Sequence, residues 1–237
     1  RLAMALAADA RAVGLALNED QVARVLAYAA LLAKWNTKIR LVGPDDLQTI
    51  VREQVVDARG FVPALAALAP TTWIDVGAGG GLPGIVAAIL LPDRHWILVE
   101  PIAKKTAFLT QAAITLGLDN VTVVRGRAEE PSVIAQHGAA DSVTSRAVAP
   151  LDRLCGWSAP LMRPDGKMVA MKGSTAQEEV DEHRSRCAAI GIDDLTVTTV
   201  GAGLVPEVTT VVLGRRRGGQ TRPTPAAPRG TRTERGR

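Results

Sequence analysis

A glycine-rich turn carries the first residues of this chain whose types and spacing could do chemistry. Residues 72–76 form the apolar pattern of a buried strand, four glycines crowd into the turn at 77–81, and apolar residues resume at helical spacing from Ile85. Glycine lets the backbone pass close to a ligand, and the amides that open the following helix are free to hold it. The stretch therefore predicts a site for a nucleotide-type cofactor.

The spacing of the glycines leaves two cofactors open. Gly79, Gly81 and Gly84 match the G-x-G-x-x-G fingerprint of dinucleotide sites, so NAD remains an alternative. Asp75 lies two residues before Gly77. A carboxylate at this strand end can fix the glycine loop or receive a cationic methionine group through water, and it is less welcome beside a pyrophosphate. The pattern therefore favours S-adenosyl-L-methionine.

Two further strand ends contribute to the predicted site. Glu100 closes the next strand, where a carboxylate can accept hydrogen bonds from both ribose hydroxyls of either cofactor. Residues 126–129 follow the third strand. Methyltransferases commonly bind the adenine edge there, with a small residue such as Ala128 against the ring and an acid such as Glu129 on the exocyclic amine.

The residues at and after the fourth strand limit which kind of atom could accept the methyl group. Arg146 is predicted to face the cofactor or the acceptor, because ligands bind beyond the carboxyl ends of such strands. An Asn/Asp-Pro-Pro-aromatic motif, typical of exocyclic amine methylation, is absent, and Cys155 and Cys187 are poorly placed for pyrimidine carbon methylation. A ring nitrogen or an oxygen remains, which needs alignment and water exclusion rather than a strong base. Arg127 and Lys172 could hold phosphate or base edges.

The elements that must position these residues alternate between strand and helix from residue 72 onward, which predicts a parallel sheet. Strands are predicted at 72–76, 95–99, 121–125, 142–145, 167–171, 195–200 and 209–214. Helices are predicted at 84–91, 102–116, 131–136, 151–161 and 176–189. The short connection between the last two strands makes them an antiparallel pair. This order is that of an α/β class I S-adenosylmethionine-dependent methyltransferase, with a Rossmann-like seven-stranded sheet whose last strand is antiparallel.

Helical patterns precede the first strand. Residues 2–34 hold two of them, the second capped by Asn18, and a third is predicted from Asp45 or Asp46 to about Phe61. The predicted organisation is an N-terminal helical extension at 1–70, a methyltransferase domain at 71–214 and a basic disordered tail at 215–237.

Composition and charge exclude some classes of protein. The chain has 237 residues, 47% of them hydrophobic and 22% charged, without an apolar run long enough to cross a bilayer. The two cysteines form no C-x-x-C pair, so we expect a cytoplasmic protein without a structural metal. Residues 215–237 carry a net charge of +7 against +4 for the whole chain, so residues 1–214 carry −3. The basic end suits either a phosphate backbone or a solubilising role.

Three motifs together resemble the glucose-inhibited division protein B family. They are Asp-Val-Gly-Ala-Gly-Gly-Gly-Leu-Pro-Gly at 75–84, Ser-Arg-Ala at 145–147 and Met-Lys-Gly at 171–173. Further matches are Trp35-Asn36, Lys104-Lys105 with Phe108-Leu109, and residues 126–130. Members of this family methylate N7 of a guanine in the 530 loop of bacterial 16S rRNA. The resemblance therefore implies an S-adenosylmethionine-dependent enzyme whose partner is 16S rRNA or the 30S subunit. Separately, we expect a monomer without membrane contacts.

The resemblance also assigns residues. It places the cofactor at Gly77, Leu82, Ala128, Glu129 and Arg146, with Glu100 on the ribose. Together with the residues argued from chemistry, the predicted cofactor-binding set is Asp75, Gly77, Gly79, Leu82, Glu100, Ala128, Glu129 and Arg146. The predicted catalytic set, which meets the RNA or the target guanine, is Arg146, Arg127 and Lys172.

One departure from the family pattern bears on the substrate. Where the family has a basic pair facing the RNA on the third helix, this chain has Glu53-Gln54, with Arg52 one residue away. Two alternatives therefore stay open from the residues themselves. One is a relative that methylates another RNA or a small molecule, and the other is a non-catalytic RNA-binding or ribosome-assembly factor.

Overall fold

The computed structural model describes residues 16–43, 71–146, 148–200 and 209–218, together with positions 3, 4, 7, 8, 11, 47, 50, 62 and 65. Apart from positions 47 and 50, the predicted third helix lies outside the described residues, and so do its Glu53-Gln54 pair and the basic tail beyond residue 218.

Seven strands of the described chain form one sheet. Their bounds are β1 (Thr72–Val76), β2 (His95–Glu100), β3 (Val121–Arg125), β4 (Ala140–Arg146), β5 (Met162–Lys172), β6 (Ile192–Val200) and β7 (Thr209–Arg216). They lie in the order β3-β2-β1-β4-β5-β7-β6. The first five pair in parallel, and β7 pairs antiparallel with both β5 and β6. The predicted sheet and its antiparallel last strand are therefore confirmed.

Helices cover both faces of the sheet. Their bounds are α1 (Glu19–Asn36), α2 (Gly84–Leu90), α3 (Ala103–Leu116), α4 (Pro131–His137), α5 (Leu151–Ser158) and α6 (Ala176–Ile190). The first three pack with Trp73 and Trp96 into the core on one face, where the two indoles stack with centroids 5.4 Å apart. The other three pack on the opposite face against Ile74 and Val76. The two cores follow from the period-two alternation along β1, which sends successive side chains to opposite faces.

The helix α1 belongs to the same body as the sheet. Its start has a capping box, in which the Asn18 side chain accepts a hydrogen bond from the Gln21 amide at 2.8 Å and the Gln21 side chain accepts one from the Asn18 amide at 3.1 Å. Its buried side chains, which include Val25, Tyr28 and Leu32, join the core that α2 and α3 form. This part of the N-terminal extension therefore packs on the larger unit, as the apolar stripe predicts.

Several boundaries differ from their predicted positions, including those of the predicted helix at 151–161 and of the last strand. The predicted helix at 151–161 is divided into α5 and a 3-10 turn, Ala159–Leu161, because Pro160 cannot donate the backbone hydrogen bond that would continue the helix. The last strand runs two residues past the predicted domain boundary at 214. Arg215 pairs there with Asp165 and Asp194, both at 2.7 Å, so this arginine belongs to the folded body rather than to the tail.

Candidate active site

The carboxyl ends of four adjacent strands carry the predicted site. In the parallel part of the sheet β3, β2, β1 and β4 are neighbours, so their C-terminal residues meet at one edge. Asp75 is the penultimate residue of β1, Glu100 ends β2 and Arg146 ends β4. Residues 126–129 follow β3 at the same edge. The structure thus brings together residues that are up to 71 positions apart in the chain.

The glycine turn between β1 and α2 needs glycine for two reasons. Gly77, Gly79 and Gly81 have φ values of +69°, +54° and +87°, a backbone region that other residues adopt at a cost. A Cβ on Gly77 would also lie 2.5 Å from Cγ1 of Val148, in the loop that follows β4. The amides of Gly77 and Ala78 both donate to the Val99 carbonyl, at 2.9 and 3.1 Å, which fixes the turn against β2.

Asp75 is buried beneath the start of α2. Its Oδ2 accepts a hydrogen bond from the Gly84 amide at 3.0 Å, while its buried Oδ1 has no partner among the described residues. Burial raises the pKa of this carboxyl to about 7, against the opposing Gly84 hydrogen bond. The Glu100 carboxylate adds to the rise in pKa, and the Arg146 charge lowers it. An unsatisfied buried oxygen is a place where a further donor would bind favourably.

Glu100 ties two loops of the site together. It is 4% exposed, its Oε2 accepts from the Gly79 amide at 2.9 Å, and its Oε1 accepts from the Ile102 amide at 2.9 Å. An ionised carboxylate has about four lone-pair sites, so these two amides leave it able to accept further hydrogen bonds. The predicted ribose contact therefore stays a prediction that the geometry permits.

Tyr28 is a residue of the site that the sequence reasoning missed. It lies on α1, is fully buried, and its hydroxyl donates to the Gly80 carbonyl at 2.5 Å, in the middle of the glycine turn. Burial raises the pKa of the phenol, the Arg146 charge lowers it, and Asp75 raises it. A tyrosine inside the apolar stripe of a helix was the available signal, because a buried hydroxyl needs a partner.

Lys172 supports the loop that follows β4. Its side chain is 7% exposed, and its Nζ donates to the Ala149 carbonyl and to the Glu179 carboxylate, both at 2.7 Å. The same carboxylate accepts from the Leu151 amide at 3.1 Å, so the start of α5 is held as well. This loop includes Val148, which packs on Gly77. The predicted contact of Lys172 with RNA remains a prediction.

The other predicted residues lie around this centre. Leu82 is buried in the core next to α2, and Ala128 is buried on the opposite face beside α4. Arg127 and Glu129 are exposed on either side of Ala128. Arg146 is half-buried. The structure therefore groups Asp75, Gly77, Gly79, Glu100 and Arg146 closely, and leaves Arg127 and Glu129 at the rim.

The charges of this edge discriminate between the two candidate cofactors. Asp75 and Glu100 are two buried carboxyl groups beside the glycine turn, 1% and 4% exposed. These carboxyl groups would repel a further negative group, such as a pyrophosphate, and would attract a ligand with sulfonium and ammonium charges. The residues fit S-adenosylmethionine better than NAD. No group of three or more potential metal ligands occurs in the part of the chain that the structure describes.

Comparison with known proteins identifies the chain's relatives. The family model GidB, described as rRNA small subunit methyltransferase G, matches residues 21–208. The chain belongs to this family. It is therefore an rRNA methyltransferase, and the resemblance stated from its motifs is confirmed. The match begins inside α1 and extends through β6, so the helix segment that supplies Tyr28 is part of the family's common region.

Individual proteins agree with this assignment. The ribosomal RNA small subunit methyltransferase G of Mycolicibacterium gilvum is 42% identical over 187 residues, which is 79% of this chain and 81% of the relative. Among solved structures, cofactor-bound Rv0187 from MTB has a TM-score of 0.54 at 20% identity and covers 82% of this chain and 90% of its own. M. jannaschii TYW2, solved in complex with AdoMet, has a TM-score of 0.50 at 16% identity, with coverages of 66% and 74%. These two structures show the methyltransferase fold.

Proposed function

We propose that this rRNA methyltransferase transfers a methyl group from S-adenosylmethionine to N7 of a guanine in the 530 loop of 16S rRNA. The observation that carries the proposal is the pair of buried carboxyl groups, Asp75 and Glu100, at a glycine turn in a chain of the small subunit methyltransferase G family. That pair suits a cationic cofactor, and the family supplies the class of acceptor.

The residues at the strand ends would hold the cofactor. Asp75, whose Oδ1 has no partner among the described residues, would accept a donor from the methionine part, directly or through water. Glu100 would accept the ribose hydroxyls, and Ala128 with Glu129 would bind the adenine, as the family pattern implies. The glycine turn would follow the cofactor closely, because glycine lets the backbone approach it.

The proposed acceptor suits a site without a strong base. S-adenosylmethionine supplies a methyl group on a sulfonium sulfur, and guanine N7 has a free lone pair, so the N–C bond forms as the C–S bond breaks and no proton is removed first. Arg146 would hold the guanine by its O6 edge, since a guanidinium is a common partner of that edge. The protein's task is to align the two reactants and exclude water.

The proposal extends to the enzyme's oligomeric state, to the form of its RNA substrate and to its compartment. We expect it to work as a monomer on 16S rRNA or the assembled 30S subunit in the cytoplasm. None of the described helices could span a membrane.

A methylation assay tests this function. We would incubate the protein and labelled S-adenosylmethionine with 30S subunits, or with naked 16S rRNA, from a strain that lacks the modification, and map the product by mass spectrometry. The expected result is one methyl group at N7 of a guanine in the 530 loop. Arg146→Ala serves as the comparison and should abolish transfer. No incorporation into either RNA substrate, or incorporation at another position, would overturn the proposal.

A further inference from the structure

Five cations form a patch beside the glycine turn, at the junction of α1 and α3. The residues of this α1–α3 basic patch are Lys34, Lys38, Arg40, Lys104 and Lys105. The junction is held by Trp35 and Phe108, whose rings meet edge to face with centroids 5.6 Å apart. Lys34 precedes Trp35, and the Lys38 amide donates to the Trp35 carbonyl at 2.8 Å. Lys104 and Lys105 lie one helical turn before Phe108. The cations at the end of α1 and those at the start of α3 therefore lie on either side of the contact between Trp35 and Phe108.

The patch has no counter-charge among the described residues. None of its five side chains forms an ion pair with a described residue, and four of them are exposed, with Lys105 half-buried. No aspartate or glutamate occurs at 21–43 or at 101–118. By contrast, six other cations are ion-paired: Arg24, Arg163, Lys172, Arg186, Arg215 and Arg217. Uncompensated cations of this kind attract a polyanion.

The segments that carry the patch lie next to the glycine turn. Asn36 folds the segment after α1, since its Oδ1 accepts hydrogen bonds from the amides of Leu41 and Val42 at 2.7 and 3.0 Å. Leu41 in turn packs on Gly80, where an added Cβ would lie 3.4 Å from the Leu41 Cβ. On the other side, α3 begins three residues after Glu100. A polyanion on the patch would therefore lie at the rim of the proposed cofactor site.

We propose that the α1–α3 basic patch binds the phosphate backbone of the rRNA strand that flanks the target nucleotide. The inference rests on the proposed function, which puts the target base at the neighbouring strand ends. Four of the five cations are lysines, which act as point charges on flexible stems and neutralise phosphates without reading bases. The patch thus supplies sequence-independent affinity next to the site, in a chain whose residues 1–214 are otherwise net negative.

The test compares paired charge removals in the full-length protein. One double variant carries Lys34→Gln and Lys38→Gln, and a second carries Lys104→Gln and Lys105→Gln. The matched control carries Lys167→Gln and Arg216→Gln, which remove two charges at the opposite edge of the sheet, where Lys167 pairs with Ser142 near the start of β4 and Arg216 ends β7. We would measure the Kd for naked 16S rRNA by filter binding across a salt series, and the Kd for S-adenosylmethionine by calorimetry. The first measurement reports the patch, and the second reports whether the cofactor site is intact.

Each patch variant should bind rRNA on the order of tenfold more weakly at physiological salt. The slope of log K against log salt should become shallower by about 0.7–0.9 for each phosphate that is no longer neutralised. The cofactor Kd should not change, and the control should match the wild type in both assays. Unchanged rRNA affinity and slope in both patch variants would overturn the inference. So would vesicles rich in phosphatidylglycerol that bind the wild type through these lysines while rRNA binding is unaltered.

These outcomes separate the patch from the proposed function. If the wild type binds rRNA through the patch but transfers no methyl group, the proposed reaction fails and the docking surface stands. If methyl transfer occurs at the expected guanine and the patch variants retain wild-type kcat/KM for rRNA at every salt concentration, the reaction stands and the patch inference fails.

Discussion

At the scale of single residues, the site depends on buried polar groups that bind the backbone of the glycine turn. Tyr28 binds Gly80, Glu100 binds Gly79 and Asp75 binds Gly84, so three side chains from different elements hold one turn. Each bond joins a side chain to a backbone group inside the fold, where an unmade partner would be costly. The turn is therefore preorganised by the protein itself.

Replacing Tyr28 by phenylalanine tests the residue that the sequence reasoning missed. Tyr28→Phe removes the hydrogen bond to the Gly80 carbonyl and keeps the ring that fills the core. We expect the Kd for S-adenosylmethionine to rise by up to about tenfold, a cost of about 1.4 kcal/mol, because the turn is less well held. Calorimetric titration measures this change. Thr110→Val is the control, since it removes a hydroxyl bonded to the Thr106 carbonyl on an exposed part of α3. Wild-type cofactor affinity in Tyr28→Phe would refute the role.

The buried carboxyl of Asp75 predicts a pH dependence of stability. Its pKa in the folded chain is about 7, against an ordinary value of 3.8, so between those values the folded state holds a proton that the unfolded state has released. The free energy of unfolding of the wild type should therefore fall with rising pH in that window, by about 1.4 kcal/mol per pH unit, relative to Asp75→Asn. Denaturant unfolding from pH 4 to pH 8 measures the difference.

The control for this pH series is Asp93→Asn, at an exposed aspartate after α2. It shows how far the removal of any one surface carboxyl group changes the free energy of unfolding over this pH range. A difference between the wild type and Asp75→Asn that is independent of pH would mean that the folded protein keeps Asp75 ionised throughout.

At the scale of elements, the site is formed where loops from neighbouring strands touch. The turn after β1 and the loop after β4 meet at Gly77 and Val148. The second loop is held in turn by Lys172 and Glu179, from the end of β5 and from α6. A substitution at the end of β5 can therefore alter the glycine turn even though the substituted residue does not contact that turn.

A rescue experiment tests this contact between loops. Gly77→Ala should lower both the free energy of unfolding and cofactor affinity, because the new Cβ would meet Val148 at 2.5 Å and the residue must keep φ +69°. We expect a loss of about 2–4 kcal/mol from crowding and left-handed backbone together. Adding Val148→Ala should recover the crowding part. Denaturant unfolding and calorimetry follow both effects.

Gly79→Ala is the matched comparison for Gly77→Ala. Its φ is +54°, but an added Cβ would have only the Gly77 carbonyl nearby, at 3.7 Å, within the described chain. It should therefore cost about 1–2 kcal/mol from backbone strain alone. If Gly77→Ala and Gly79→Ala cost the same, and Val148→Ala recovers nothing, the loop contact does not matter.

At the scale of the whole molecule, positive charge is distributed unequally. At the end of β7, Arg215 and Arg217 form ion pairs with aspartates of the folded domain, so their charges are already compensated there. Residues 219–237 still carry five arginines and one glutamate, a net charge of +4. The α1–α3 basic patch and residues 219–237 are therefore two separate groups of positive charge along the chain.

Deleting residues 219–237 tests the terminal segment separately from the patch. The deletion keeps β7 and its ion pairs, so the free energy of unfolding should not change. The affinity for naked 16S rRNA should fall, and the slope of log K against log salt should become shallower by about 0.7–0.9 for each phosphate that the segment neutralises. Filter binding with the truncated and full-length proteins measures both quantities. An unchanged slope would mean that the segment neutralises no phosphate and takes no part in RNA binding.

Much of the fold and of the site was predictable from the sequence. The strands at 72–76 and 121–125 match their predicted bounds, because short apolar runs flanked by glycine and polar residues mark buried strands clearly. Strand ends were harder to place. The strand β5 begins at Met162, five residues before its predicted start, because the polar stretch that includes Arg163 and Asp165 gives no apolar signal. Met162 pairs with Ala140 of β4, and the stretch is held by the ion pairs of Arg163 with Asp141 and of Asp165 with Arg215.

The sequence by itself determined the class of protein, the alternation of strand and helix, and the residues at the strand ends. These depend on local patterns, namely apolar periodicity and the need for glycine at a tight turn. Only the tertiary structure decided that Tyr28 binds the glycine turn and that Lys172 is bonded to Ala149 and Glu179. It also decided that the contact of Trp35 with Phe108 brings the cations at the end of α1, just after it and at the start of α3 to one place. These facts depend on contacts between distant parts of the chain, where packing selects the partner and spacing in the sequence does not.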